Sequence, residues 1–189
     1  MSIDDSRLAL FLMLCQGVEK LVASRVDLVP PESLPVSATF DLAEAVPDLV
    51  HASMKAAEAF KLFYVFEGYL RDLIISVLSN DATVPWWEKI PSDVRSEVES
   101  LEAADDTKIG RGRWTRDKSA LMTYPQLLRV IDTCWKTGFS DLLRDKSLIQ
   151  EARVLTHLRN AVAHMTTIPT EELERIRQVM RDWFRMVAP

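Results

Sequence analysis

The chain has 189 residues and a formal net charge of −5, and 48% of its residues are hydrophobic while 27% are charged. This length and balance predict one folded domain over 1–189 with a sizeable core, and they exclude a disordered tail. The acidic charge argues against a protein whose whole surface coats nucleic acid, so any contact with RNA or DNA requires a local basic patch.

The two cysteines, Cys15 and Cys134, fit neither a metal site nor a disulfide framework. We expect both to be small buried hydrophobic side chains in a protein of the reducing cytoplasm. The apolar run LALFLMLC at 8–15 resembles part of a secretion signal, but two aspartates precede it and no cleavage site follows. Because it is also too short to span a bilayer, we predict a helix over 6–27 that packs on the rest of the domain, with no membrane contact.

Helical periodicity continues along most of the chain. The first helix ends before Pro30, and 31–40 is predicted to be a connector. No segment alternates convincingly with period two. The longest apolar stripe has residues three and four apart, namely Phe63, Phe66, Leu70, Leu73, Ile74 and Val77. We therefore predict an all-α fold, an up-and-down bundle of four long helices plus short accessory helices. The predicted helices after the first are 48–79, 91–104, 124–136, 145–165 and one that begins near Pro169.

The hexapeptide RNAVAH places Arg159, Asn160 and His164 near the end of the helix predicted over 145–165. His157 lies on the same helical edge as Asn160 and His164, where it either joins a site or is an ordinary surface histidine. The simplest interpretation of this edge is a solvated helix face. The apolar residues of the same helix predict a core-facing stripe formed by Leu155, Leu158, Val162 and Met165.

The segment LRNAVAH resembles the Arg-x4-6-His signature of the HEPN superfamily, in which a polar residue often follows the arginine. The segment FKLFYVFEGYLRDLIISVL, residues 60–78, is similar to the second helix of these domains and contains Glu67 and Arg71. The closing segment PTEELERIRQVMRDWFRMV also fits the family, and the chain is most similar to its Swt1-like branch. The resemblance covers about residues 45–187, which we expect to form a HEPN core.

The resemblance implies a helical bundle that forms a homodimer with its motif helices facing across a two-fold axis. Many HEPN domains are endoribonucleases of toxin or anti-phage systems that need no metal or cofactor. Others are inactive modules that bind a partner protein or RNA, and an interaction protein unrelated to RNA is a third alternative. Thr166 stands where some HEPN toxins carry a tyrosine that a partner modifies, so an active domain would need a different antitoxin or sensor protein.

The dimer matters because residues five apart on a helix point about 140 degrees apart, so Arg159 and His164 of one chain converge poorly. In a ribonuclease site, His164 would take the proton of a ribose 2′-OH or give one to the leaving 5′-oxygen. Arg159 would stabilise charge that develops at the phosphorus, and Asn160 would orient His164 or contact the phosphate. Glu67 either pairs with Arg71 four residues later or lines the cleft and holds Arg159 or His164.

Basic residues are concentrated in KIGRGRWTRDK, residues 108–118, where five basic side chains oppose one aspartate. With its interleaved tryptophan, this segment is either an RNA-binding element that follows a phosphate backbone or an ordinary exposed loop over 105–118. The three histidines have no metal-site spacing. The candidate RNA-binding residues are Lys108, Arg111, Arg113, Trp114 and Arg116.

Overall fold

The structure, a computed structural model, describes residues 32–108, 117–143 and 145–187, except for the side chains of 105–108. None of the helices within these ranges is both long enough and apolar enough to cross a membrane. Two predictions for the N-terminal segment, the helix over 6–27 and the burial of Cys15, concern residues outside the description.

The described residues belong to two compact units, one that ends at Met54 and one that begins at Lys55. In the first unit, the predicted connector contains an antiparallel hairpin of β1 (Pro35–Ser37) and β2 (Phe40–Asp41). Asp41 then caps α1 (Leu42–Ala45), because its carboxylate accepts the backbone N–H of Ala43 at 2.8 Å. The prediction of a single domain over the whole chain stays a prediction.

Helices dominate the described residues, and the predicted all-α fold class is confirmed. The longest helix is α2 (Pro47–Ser79), close to the predicted 48–79. Three short 3-10 turns, Trp86–Lys89, Lys118–Leu121 and Trp135–Thr137, lie between the later helices. These later helices are α3 (Ser92–Lys108), α4 (Tyr124–Thr133), α5 (Phe139–Leu142), α6 (Ser147–Val154), α7 (Thr156–Ala163) and α8 (Thr170–Val187).

The core of the second unit lies along the apolar stripe of α2. Trp183 of α8 packs edge to face on Phe66, with ring centroids 5.5 Å apart, and Tyr124 of α4 packs on Phe63 at 5.8 Å. Burial of each such side chain contributes about 1.5–3 kcal/mol, so this stripe fixes how α2 faces the other helices. The stripe predicted from the periodicity is buried throughout and consists of Phe63, Phe66, Leu70, Leu73, Ile74 and Val77.

Helix α3 is longer than predicted. The sequence predicted a helix over 91–104 and a loop from 105, but α3 continues to Lys108. Extending an existing helix adds one hydrogen bond for each residue that is ordered, so polar residues without an apolar period can still follow the helical path.

The helix predicted over 145–165 is divided at Leu155 into α6 and α7. The N–H of Leu155 donates to the carbonyl oxygen of Ala152 at 3.0 Å. The donor and acceptor residues are three positions apart, instead of the four of an α-helix. The buried hydroxyl of Tyr124 donates to the same oxygen at 2.7 Å. A side chain that reaches into the backbone ladder in this way bends a helix. Helix α4 contacts both α6 and α7.

Candidate active site

Glu67 connects the motif helix α7 to α2. This residue is 8% exposed, and its Oε1 accepts a hydrogen bond from Nε of Arg159 at 2.8 Å. Its Oε2 accepts one from Nη2 of Arg71, also at 2.8 Å. A carboxylate at this depth is costly unless it is paired, and here each oxygen has a charged donor. Glu67 therefore pairs with Arg71 and also contacts Arg159, whereas its place in the lining of a cleft stays a prediction.

Arg71 has further partners that sequence reasoning missed. Its Nε donates to the backbone oxygen of Ser119 at 3.1 Å, and its Nη2 lies 3.5 Å from the backbone oxygen of Met122. These carbonyls belong to the turn Lys118–Leu121 and the residue after it. Ser119 is 48 positions from Arg71, and no local sequence pattern relates the two.

The three charged side chains of this cluster, Arg71, Glu67 and Arg159, carry two positive charges and one negative charge. The side chain of Arg159 is 29% exposed, and within the described ranges its two terminal nitrogens have no hydrogen-bond partner. Arg159 is therefore held through Nε, while the part of the guanidinium that matches a phosphate stays available. The excess positive charge favours an anion at this point.

His164 lies at the C-terminal end of α7, where its backbone N–H donates to the oxygen of Asn160 at 3.0 Å. Met165 follows with φ of 58°, and its N–H donates to the oxygen of Val162 at 3.0 Å, while the N–H of Thr166 donates to the oxygen of Ala161 at 2.9 Å. The bonds of Met165 and Thr166 form a Schellman motif, which ends the helix at the histidine. The imidazole is thus presented at the end of a helix, and His164 is exposed.

The predicted core stripe of the motif helix is correct for three of its members but wrong for Met165. Leu155, Leu158 and Val162 are buried, whereas Met165 is 87% exposed. The helix ends before Met165, so the helical period no longer determines where that side chain points. A left-handed residue at this position is usually glycine, which explains why the sequence did not indicate the end of the helix.

Asn160 and His157 are exposed, like His164. Within the described residues, the Asn160 side chain makes no hydrogen bond to His164, so the predicted orienting contact is not formed. Arg159 instead faces Glu67 on the neighbouring helix. The structure thus places the guanidinium on the packed side of α7 and the imidazole at its exposed end.

The basic segment is described only at its two ends. Lys108 ends α3, whereas Arg111, Arg113, Trp114 and Arg116 lie outside the described residues. Lys118 Nζ lies 4.9 Å above the Trp87 ring, and its nearest carboxylate oxygen, 3.8 Å away, belongs to Glu99 of α3. The turn that follows the segment is therefore anchored to α3.

Cys134 is buried, as predicted, and burial raises the pKa of its thiol, which disfavours the nucleophilic thiolate. Among the described residues, no group of three or more histidine, cysteine, aspartate or glutamate side chains is placed to hold a metal ion.

The predominantly helical fold and the Arg159-x4-His164 spacing, which ends at the C-terminal cap of α7, are features of a HEPN-type domain. The family model described as Swt1-like HEPN matches residues 61–188, which is more than half of the chain. The chain belongs to the Swt1-like HEPN family. No curated protein and no solved structure shows a significant match. HEPN domains commonly dimerise and bind RNA, and the family covers ribonuclease and nucleotide-related functions.

Proposed function

We propose that the protein is a metal-independent endoribonuclease whose active site forms between two copies of the chain. The observation that carries this proposal is the hydrogen bond between Nε of Arg159 and the buried Glu67, which leaves the terminal nitrogens of Arg159 without a described partner. An arginine held in this way is oriented in advance for a phosphate, which reduces the cost of ordering it during the reaction.

The proposed reaction needs one imidazole that accepts a proton and one that donates a proton. His164 of one copy takes the proton of a ribose 2′-OH, and the 2′-oxygen attacks the adjacent phosphorus. The bond from phosphorus to the 5′-oxygen breaks, and that oxygen takes a proton from His164 of the other copy. The products are a 2′,3′-cyclic phosphate and a free 5′-hydroxyl, and Arg159 stabilises the charge on the phosphorane.

The directions of the side chains support a site formed by two copies. Arg159 faces Glu67 on α2, while His164 is exposed at the end of α7. Pairing two motif helices around a two-fold axis would place the exposed imidazole of one copy beside the guanidinium of the other. Asn160 and His157, also exposed, would line the same groove and contact the RNA.

We further propose that this activity serves a toxin or anti-phage system, in which a separate antitoxin or sensor protein controls it. The basic segment, with Lys108, Arg111, Arg113, Trp114 and Arg116, is proposed to hold the RNA backbone. Because each neutralised phosphate releases counterions, RNA affinity should fall steeply as salt rises.

The first test incubates the purified protein with end-labelled single-stranded RNA in EDTA and examines the products for 2′,3′-cyclic phosphates. Arg159→Ala and His164→Ala should abolish cleavage, and His51→Ala, a histidine outside the proposed site, should leave it unchanged. Cleavage that persists in either site variant would overturn the assignment.

The second test mixes wild-type protein with increasing amounts of His164→Ala. Because the proposed reaction uses His164 of both copies, a mixed dimer should be inactive, and cleavage should fall with the square of the wild-type fraction. If one copy supplied all the groups, the wild-type copy of a mixed dimer would stay active, and cleavage would fall only in proportion to the wild-type fraction. Mixing wild type with His51→Ala is the control and should leave cleavage unchanged.

The alternative function is a catalytically inactive HEPN module that binds RNA or a partner protein. The net charge of −5 favours this alternative, because an acidic protein attracts RNA weakly. The two functions differ in one result: an inactive module would bind 2′-O-methyl RNA or a partner protein but would leave ordinary RNA intact.

A further inference from the structure

We propose that Arg71 is a positioning residue of the candidate site, which prevents Glu67 from binding all of the Arg159 guanidinium. Its effect on catalysis rests on the proposed function, whereas its effect on Arg159 does not. Arg71 would touch no RNA and would act only through the carboxylate of Glu67.

The inference starts from the way Glu67 divides its two oxygens between two arginines. Oε1 binds Nε of Arg159, and Oε2 binds Nη2 of Arg71, each at 2.8 Å. Arginine and carboxylate prefer a bidentate pair with two parallel hydrogen bonds. Glu67 makes no such pair with either arginine, because each of its oxygens has a different partner.

Arg71 can hold Oε2 firmly because its guanidinium is fixed on the other side. Its Nε donates to the backbone oxygen of Ser119, and Ser119 is itself buried. The hydroxyl of Ser119 donates to Oδ2 of Asp117 at 2.7 Å, which secures the turn that carries this carbonyl. Arg71 is therefore a fixed donor rather than a mobile surface side chain.

Without Arg71, Oε2 would lose its charged donor at a nearly buried position. The nearest remedy is a rotation of Glu67 that lets both oxygens bind Arg159, one at Nε and one at a terminal nitrogen. That pair would be neutral, and it would use a nitrogen that the proposed reaction needs for the phosphate. Arg71 thus keeps the positive charge and the free edge of Arg159 available.

Kinetics on labelled RNA test this inference through the split between kcat and KM. Arg71→Met should lower kcat about tenfold to a hundredfold, because Arg159 is misplaced, and should change KM little. Arg71→Lys keeps a charged donor for Oε2 and should retain most of the activity. The matched control is Arg153→Met, which removes a partly buried ion pair with Asp132 at 2.6 Å and should leave kcat unchanged.

A double-mutant cycle tests whether Arg71 acts through Glu67. In a Glu67→Gln background no carboxylate can bind Arg159, so Arg71→Met should cause no further fall in kcat. If the two substitutions instead multiply their effects, Arg71 acts on the RNA directly and the inference is wrong.

A nuclear magnetic resonance measurement tests the inference without any cleavage. In the wild-type protein, the terminal groups of Arg159 should rotate freely, whereas its Nε–H should exchange slowly with water. In Arg71→Met, binding of a terminal nitrogen to Glu67 should slow that rotation and give separate signals, which Arg153→Met should not do. Identical Arg159 signals in wild type and Arg71→Met would refute the inference, even if the protein cleaves no RNA.

Discussion

Nε of Arg159 on α7 donates to Oε1 of Glu67 on α2 at 2.8 Å, and this bond joins residues 92 positions apart in the chain. The motif arginine is therefore part of the packing between two helices as well as a candidate phosphate ligand. Mutation can therefore measure two properties separately. One is the stability of the fold, to which the Glu67 contact contributes, and the other is the proposed chemistry, which would depend on the terminal nitrogens of Arg159.

We expect Arg159→Lys to fold and to lose RNA cleavage by about a hundredfold or more. The ammonium group can replace the bond to Glu67, but it has no second edge that binds a phosphate at the same time. The measurement is the cleavage rate on labelled RNA, with thermal unfolding as the control for folding. A lysine variant that cleaves at the wild-type rate would show that the reaction does not need the terminal nitrogens of Arg159 to bind the phosphate.

Glu67→Gln should lower the free energy of unfolding by on the order of 3 kcal/mol, because two guanidinium groups would lose their shared carboxylate in a nearly buried position. The matched control is Glu58→Gln on the same helix, since Glu58 pairs with Arg177 at the surface. That exposed pair should contribute less than about 1 kcal/mol. Urea denaturation of both variants measures the difference, and equal losses would contradict the predicted role of burial.

The sequence predicted features that follow from a local period and missed those set by contacts between distant residues. The stripe of α2 could be predicted because burial repeats every three or four residues. The break between α6 and α7 could not, because it depends on the hydroxyl of Tyr124 reaching Ala152 from another helix. Likewise, the pattern around Glu67 allowed two interpretations, and only the packing of α7 on α2 showed that both partners are present.

Gly138→Ala and Gly68→Ala should have opposite effects on stability. Gly138 has φ of 134°, and an added Cβ would lie 3.1 Å from Cγ1 of Val77, so alanine should cost about 1–3 kcal/mol. Gly68 lies within α2, and an added Cβ would meet nothing within 4 Å. Alanine there should stabilise the protein by about 0.5–1 kcal/mol. Chemical denaturation of both variants checks the signs, and a destabilised Gly68→Ala would contradict the prediction.

The contribution of Asp132 to stability should depend on pH. Its carboxylate forms an ion pair with Lys146 and accepts a hydrogen bond from Arg153, and these contacts hold its pKa below the ordinary value. A lowered folded-state pKa means that stabilisation is present above the ordinary aspartate pKa and is lost as the pH falls through the folded-state value. The difference in free energy of unfolding between wild type and Asp132→Asn should therefore be largest above about pH 5 and shrink below about pH 4.

The control for Asp132 is the same comparison in an Arg153→Met background. Removing one of the two cationic partners should reduce the pH-dependent difference, because less interaction then favours the charged carboxylate. Denaturation curves at several pH values give both differences. A difference that is the same at neutral and acidic pH would contradict the prediction.

Met165→Gly should stabilise the protein by about 0.5–1 kcal/mol. Met165 adopts φ of 58° directly after His164, a conformation that glycine reaches without the steric cost borne by a side chain. Because the methionine side chain is almost fully exposed, its removal loses few packing contacts. Met165→Ala is the matched control: it removes the same side chain but keeps Cβ, so it should leave the free energy of unfolding nearly unchanged. If alanine stabilised the protein as much as glycine does, the gain would come from the lost side chain and not from relief of the backbone at the end of α7.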